Sequence, residues 1–426
     1  MSADRDRAEL ALFGGRSAAR VVADTPRRQS RASVRAAVAL LRASRANADL
    51  LCAHDGVGAI GDFESAFAAA TGAGYAVAVS SGTAALLGLL MAHGIGPGAE
   101  VLVNAYGWGS AAGAVRALGA TPVFVDIDDA LGFSVSDAAQ RITPRTRAIL
   151  ATHVFGALAD APGLAALAEK WRIPLLFDGA QALGAHLDGV KVGALGAATA
   201  FSLGRRKLVY AGEGGLVVTS SRAVYERLVL ATQHPLRARA DATKSTLRCL
   251  VDEGSLSLRM HPVAAALSLA QMGEVRDRAD RQRVAVQRIA VGMSECSALT
   301  LPTRRAGDVA QTIVLRYRRP RGGPTRQAVV EALQSEGVPA FIGPVRVPLH
   351  RRAGFRQQHT GDSKRQRPAS LPQVERFCRA EEVMLEDASC WQTTTRYRAD
   401  ALARGIRKVE SALRRLRAWE EDNERR

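Results

Sequence analysis

From residue 75 to residue 219 short apolar runs alternate with helical stretches, and that alternation leaves few folds open to this chain. Runs at 76–80, 101–104, 122–125, 148–152, 175–177, 198–201 and 216–219 read as buried strands, continuously apolar instead of alternating. Helical stretches at 83–92, 110–118 and 164–171 separate several of them. Such a pattern implies an α/β fold, with a mostly parallel sheet covered by helices on both faces. Sheets of this kind bind ligands outside the carboxyl ends of their strands. The residues just past each strand are therefore where chemistry is to be sought.

The first strand runs into Ser81-Gly82-Thr83 at a helix start, where backbone N–H groups and the helix dipole suit an anion such as phosphate. The same three residues also read as an ordinary helix cap. After 101–103 comes N-A-Y-G-W, which offers Trp108 as a flat surface for a planar ring or as packing. The strand at 175–177 runs into Asp178, a carboxylate that is expensive to bury unless it meets a cation or caps a helix; Gln181 follows one turn later. The strand at 198–201 is followed by Ser202 and then Lys207, inside F-S-L-G-R-R-K-L-V-Y-A-G-E-G-G at 201–215. Only six of the chain's 58 basic residues are lysines. A lysine next to Arg205 and Arg206 therefore points to chemistry that guanidinium cannot do, such as Schiff-base formation with an aldehyde. Anion cradle, ring stacker, carboxylate for a ring nitrogen and amine for an aldehyde are together the four needs of pyridoxal 5′-phosphate (PLP).

At 426 residues the chain exceeds one ordinary core. The expected division is an arm and surface helix at 1–50, a large domain at 51–270 and a smaller C-terminal α/β domain at 271–426. Beyond 270 the sequence predicts helices at 272–293, 327–336 and 398–419, a strand at 312–317 and an exposed loop at 354–368. No run of eighteen uncharged apolar residues occurs, and the N-terminus has no cleavable apolar core, so the expectation is a cytoplasmic protein without a membrane partner. Five scattered cysteines, Cys52, Cys249, Cys296, Cys378 and Cys390, give neither a disulfide framework nor a zinc spacing, and no metal is expected. The net charge of +17 is spread along the chain without a nucleic-acid-binding signature, so no nucleic-acid partner is expected.

Several stretches together resemble the DegT/StrS family of fold type I, PLP-dependent sugar and cyclitol aminotransferases. They are A-L-F-G-G at 11–15, G-D-F-E at 61–64, S-S-G-T-A-A-L at 80–86, P-V-F-V-D-I-D at 122–128, H-V-F-G at 153–156, F-D-G-A-Q-A-L-G-A at 177–185, the motif around Lys207, and R-M-H-P at 259–262. K-L-V-Y-A-G-E-G-G, G-V-P-A-F at 337–341 and Cys390-Trp391 are most similar to the branch holding cyclitol aminotransferases and 3-amino-5-hydroxybenzoate synthases. The resemblance implies a homodimer that moves an amino group from glutamate or glutamine to a keto-sugar or cyclitol ketone in amino-sugar or secondary-metabolite biosynthesis. It implies Lys207 as the Schiff-base lysine and proton carrier, Asp178 on the ring nitrogen and Trp108 on the ring face. Gly82, Thr83 and Ser202 would hold the phosphate, and Gln181 would lie beside the ring's 3′-hydroxyl.

The chain departs from the family in four places. Ser257 stands where the family has an asparagine that reaches the partner subunit's cofactor phosphate. Arg205 and Arg206 stand where it has uncharged residues, and as like charges they would favour a neutral Lys207 and gather anionic partners. Asn104 and Gly107 replace a usual proline and threonine, and Q-T-T-T at 392–395 replaces a histidine-rich pair. Two alternative readings stay open: a PLP-dependent dehydratase or aromatising enzyme of the aminohydroxybenzoate synthase type, and a PLP-binding scaffold or partner subunit with weakened catalysis.

Overall fold

The computed structural model describes residues 9–19, 29–242, 245–251, 254–343, 347–356, 370–387 and 395–425. The Cys390-Trp391 pair, residues 392–394 and most of the expected loop at 354–368 lie outside the described residues.

Seven strands form the main sheet: β1 (Tyr75–Val79), β2 (Glu100–Asn104), β3 (Thr121–Val125), β4 (Thr146–Thr152), β5 (Leu175–Asp178), β8 (Ala198–Ser202) and β9 (Gly215–Thr219), in the order β1-β9-β8-β5-β4-β2-β3. A small hairpin, β6 (His186–Leu187) and β7 (Val190–Lys191), lies outside it. The pairs β3–β2, β2–β4, β4–β5 and β5–β8 are parallel, and β8–β9 and β9–β1 are antiparallel. The expected mostly parallel α/β sheet is thus present, and every strand read between residues 75 and 219 is in it.

Both sheet faces are covered, which is why the strands lack polar alternation. On one face Val77, Val101, Val103, Leu150 and Val217 pack under helices α3 (Gly82–Ala92), α4 (Ser110–Ala117) and α7 (Arg222–Thr232). On the other face Ala76, Ala78, Phe177 and Leu216 meet α2 (Ala59–Thr71), α6 (Ala161–Trp171) and α9 (Pro262–Leu269). The N-terminal helix α1 (Arg31–Ala43) is the expected surface helix: it buries Ala37 while Val34 and Leu41 are exposed.

A second, antiparallel sheet, in the order β10-β11-β13-β12, is built from β10 (Leu299–Thr300), β11 (Thr312–Tyr317), β12 (Ala340–Phe341) and β13 (Glu382–Asp387). It packs on α10 (Val275–Gly292), α11 (Arg326–Ser335) and α12 (Thr395–Ser411) through Ile289, Leu315, Val329, Leu333 and Leu402. The single terminal helix expected at 398–419 is two, α12 and α13 (Leu413–Arg425); at Ala412 the backbone N–H bonds to Val409 O, a tight turn that separates them.

Candidate active site

The carboxyl ends of β1, β5 and β8 and the N-terminus of α3 come together at one edge of the main sheet. Ser81 caps α3, its side chain accepting from Ala84 N at 3.0 Å. Gly82 then lies so close to the end of β8 that a Cβ there would stand 2.6 Å from Ser202 Cβ and 3.0 Å from its Oγ. The last glycine of the E-G-G motif, Gly215, pairs with Ser202, and a Cβ on it would run into the carbonyl of Ser81. Two glycines therefore allow a helix N-terminus and a strand end to converge, which brings the exposed Thr83 and the half-buried Ser202 to one cradle. Thr83 Oγ1 donates to Ser110 Oγ at 3.2 Å. Ser110, at the start of α4, is a hydroxyl that strand-by-strand reading overlooked, because it lies a loop away from β2.

Asp178 ends β5 and is buried. Burial pushes its carboxyl above the ordinary aspartate range, and the Ala180 N–H (3.0 Å from Oδ1) and then the charge of Lys207 pull it back. Lys207 is thus within electrostatic reach of Asp178. It is half-buried at the end of a tight turn after β8, where its N–H bonds to Gly204 O. Arg205 and Arg206 form the exposed corner of that turn, with Arg206 at φ 70°. Gln181 Oε1 accepts from Phe155 N at 2.6 Å, so its amide bridges the D-G-A-Q and H-V-F-G stretches.

His153, at the head of H-V-F-G, is fully buried and stacks on Phe177 with ring centroids 4.4 Å apart. Its Nδ1 accepts from Ala159 N at 3.1 Å, which puts the ring proton on Nε2. Burial, then the charge of Arg305, lowers its pKa to about 3, so the ring is neutral and supports β5 from beneath. Asn104 ends β2, and its Oδ1 accepts from Thr152 N at 2.7 Å, tying the ends of β2 and β4 together.

Trp108 lies in the β2–α4 loop with 79% of its surface exposed, a large indole offered to a ring or a second chain. Ser257 is exposed, on the segment bridged to β1 through Val79 and Arg259. It has φ 50°, and its Oγ accepts from Arg259 Nε at 3.1 Å. The structure therefore gathers Gly82, Thr83, Ser202, Asp178, Gln181 and Lys207 at one sheet edge. Trp108 projects from an adjoining loop and Ser257 from a flanking segment.

A mostly parallel sheet with a lysine, a buried aspartate and a glycine-lined helix terminus at its carboxyl edge defines a class, and comparison with known proteins gives the class its family. Residues 58–382 match the DegT/DnrJ/EryC1/StrS aminotransferase family, and the chain belongs to it. L-glutamine:2-deoxy-scyllo-inosose aminotransferase of Streptomyces fradiae is 39% identical over 214 residues, which are 50% of this chain and 46% of that protein. The match thus spans just under half the length of that relative. The crystal structure of DesI in the presence of its TDP-sugar product is similar over 98% of this chain and 100% of its own, with TM-score 0.75 and 26% identity. 3-Amino-5-hydroxybenzoic acid synthase, at 24% identity and TM-score 0.75 over 93% of this chain and 100% of its own, shares the fold, that of the fold type I enzymes.

Proposed function

We propose that this chain is a PLP-dependent aminotransferase that moves the amino group of glutamine or glutamate to the ketone of a sugar or cyclitol. The observation that carries the reading is the buried Asp178 carboxylate within electrostatic reach of the Lys207 amine, beside the Gly82–Ser202 cradle. These residues fit PLP. The cradle is bare of side-chain bulk on Gly82, as close phosphate approach requires, and a cation at Asp178 offsets the cost of its burial. When bound, PLP supplies an aldehyde for amines and a ring that accepts electrons from the substrate carbon.

The protein's part is positioning and proton movement. Gly82, Thr83 and Ser202 would hold the phosphate, Asp178 would keep the ring nitrogen protonated, Trp108 would cover the ring face, and Gln181 would serve the 3′-hydroxyl side. Lys207 Nζ would hold the cofactor through its aldehyde, and once the donor amine frees it, the Lys207 amine would accept the proton from substrate Cα. Solvent around Arg205 and Arg206 screens their effect on Lys207, which leaves gathering of an anionic donor or acceptor as their larger role. We assign 51–270 to a cofactor-binding domain and 271–426 to a smaller domain, supported by their separate sheets. We also propose a homodimer with Ser257 reaching toward the partner's site, supported by its exposure at the flank of β1. No described helix is long and apolar enough to cross a membrane, which supports the cytoplasmic placement we propose.

The test is a half-reaction. Purified protein loaded with PLP and given glutamine or glutamate alone should release one equivalent of the matching 2-oxo acid per site as the visible absorbance shifts. A dehydratase or aromatising enzyme would act on its substrate with no amino donor, and a scaffold would show neither activity. Borohydride reduction followed by peptide mapping should label Lys207; a pyridoxyl group on another lysine sinks the assignment.

A further inference from the structure

The loop that presents Trp108 is held by the C-terminal part of the chain. Tyr106, two residues before Trp108, is fully buried, and its hydroxyl donates to Glu382 Oε1 at the start of β13. Its ring packs edge-on against Phe377 and Phe155, at 5.3 and 5.7 Å between centroids. Ala105 O accepts from Leu349 N at 2.9 Å, and the side chains of Leu349 and Phe355 stand against Gly109. The residues on both sides of Trp108 are thus gripped by segments more than two hundred positions away in sequence, while Trp108 itself is exposed.

Glu382 is an unusual anchor. It is fully buried, and its second oxygen, Oε2, has no hydrogen-bond partner among the described residues. Among the described residues the polar groups facing it are Tyr106 from the β2–α4 loop, Cys378 from the turn at 377–381, and Arg326 from α11, whose guanidinium donates to Glu382 O. Arg316, opposite it in the β11–β13 register, is engaged with Glu381 and Asp129. A carboxylate so placed is poorly compensated.

We infer that Tyr106 and Glu382 form a proton-dependent lock that positions the Trp108 loop from the C-terminal sheet, with Glu382 a positioning residue for the ring-facing tryptophan. Its link to catalysis rests on the reading of Trp108 given above; the lock itself does not. Burial lifts the Glu382 carboxyl to about 7, more than Tyr106 and Arg326 pull it down. Near pH 6 the carboxyl is protonated, neutral and settled in its pocket. Above 7 the buried charge favours undocking toward water, and the loop is released.

Hydrogen exchange of the full-length protein tests this without cofactor or substrate. In the peptide spanning 104–112, corrected for intrinsic rates, exchange should rise as pH goes from 6 to 8. Tyr106→Phe leaves Glu382 without its donor and should speed exchange there by about ten- to a hundredfold at both pH values. Glu382→Gln keeps an acceptor for the tyrosine and cannot ionise, so it should stay protected at both, a rescue that a mere packing role would not give. Wild-type exchange in Tyr106→Phe, or a pH rise that persists in Glu382→Gln, overturns the lock. The expected exchange pattern in a protein that gains no visible absorbance with PLP overturns the cofactor reading and leaves the lock standing.

Discussion

Asp178 stands on the last residue of a fully apolar strand, a placement that a structural role alone would not favour. Its carboxyl sits above the usual range chiefly because of burial, with Lys207 among the groups pulling it down. A ring N–H⁺ at this carboxylate would add a second cation and a strong hydrogen bond. Asp178→Asn is isosteric and keeps the Ala180 N–H contact, so PLP should still bind. Amino transfer should fall by about three powers of ten, roughly 4 kcal/mol, because the ring nitrogen is no longer held protonated. Single-turnover rates with glutamine check this, and near-wild-type rates would disprove the pairing. At the same scale, replacing both Arg205 and Arg206 by glutamine should raise KM for an anionic partner and leave kcat little changed, since both side chains are exposed.

At the scale of elements, the site depends on how closely α3, β8 and β9 approach. Gly82→Ala keeps an ordinary helical conformation but places a methyl 2.6 Å from Ser202 Cβ. We expect a loss of about 1–3 kcal/mol in unfolding free energy and weaker PLP binding, read by denaturant titration and absorbance. Ser257→Asn should go the other way. At φ 50° the left-handed conformation suits asparagine better than serine, so a gain of about 0.5 kcal/mol is expected. PLP should also bind more tightly if that side chain reaches a partner's phosphate. Much of this level was legible in the sequence: strands buried on both faces announce themselves as apolar runs, and the glycines at 82 and 215 mark close approaches. β13 was not legible, since E-E-V-M-L-E-D places only three apolar residues among acids and one of those acids, Glu382, points inward. Its reason for doing so, Tyr106, is 276 positions away, and no local pattern encodes such a pair. Ser110 and Asn104 escaped in the same way, through partners on neighbouring strands and helices.

At the scale of the whole molecule, buried titratable groups tie distant segments together and give folding its pH dependence. Glu64, of the G-D-F-E stretch, pairs with Arg237 at 2.7 Å with both side chains buried, and its Oε1 accepts from Ala78 N in β1. Removing one partner there should cost about 3–5 kcal/mol. His153 and Glu382 act with opposite sign. His153 is held neutral with its pKa down at about 3, so from its ordinary 6.5 downward the unfolded chain binds the extra proton and stability falls as pH falls. Glu382 is raised from 4.5 to about 7, so its contribution is complete below 4.5, and between 4.5 and 7 the folded chain holds the extra proton and stability falls as pH rises. From 4.5 to 6.5 the two effects oppose each other, one proton each. Glu382→Gln removes only the second. Whatever other groups titrate, the variant's unfolding free energy should therefore gain on wild type by about 1.4 kcal/mol per pH unit across that window. Urea titrations of both proteins at pH 5 and pH 6 measure the double difference directly. Parallel pH dependences would show that Glu382 ionises in the folded protein as it does in the unfolded chain, and the proton lock on the Trp108 loop would fall with it.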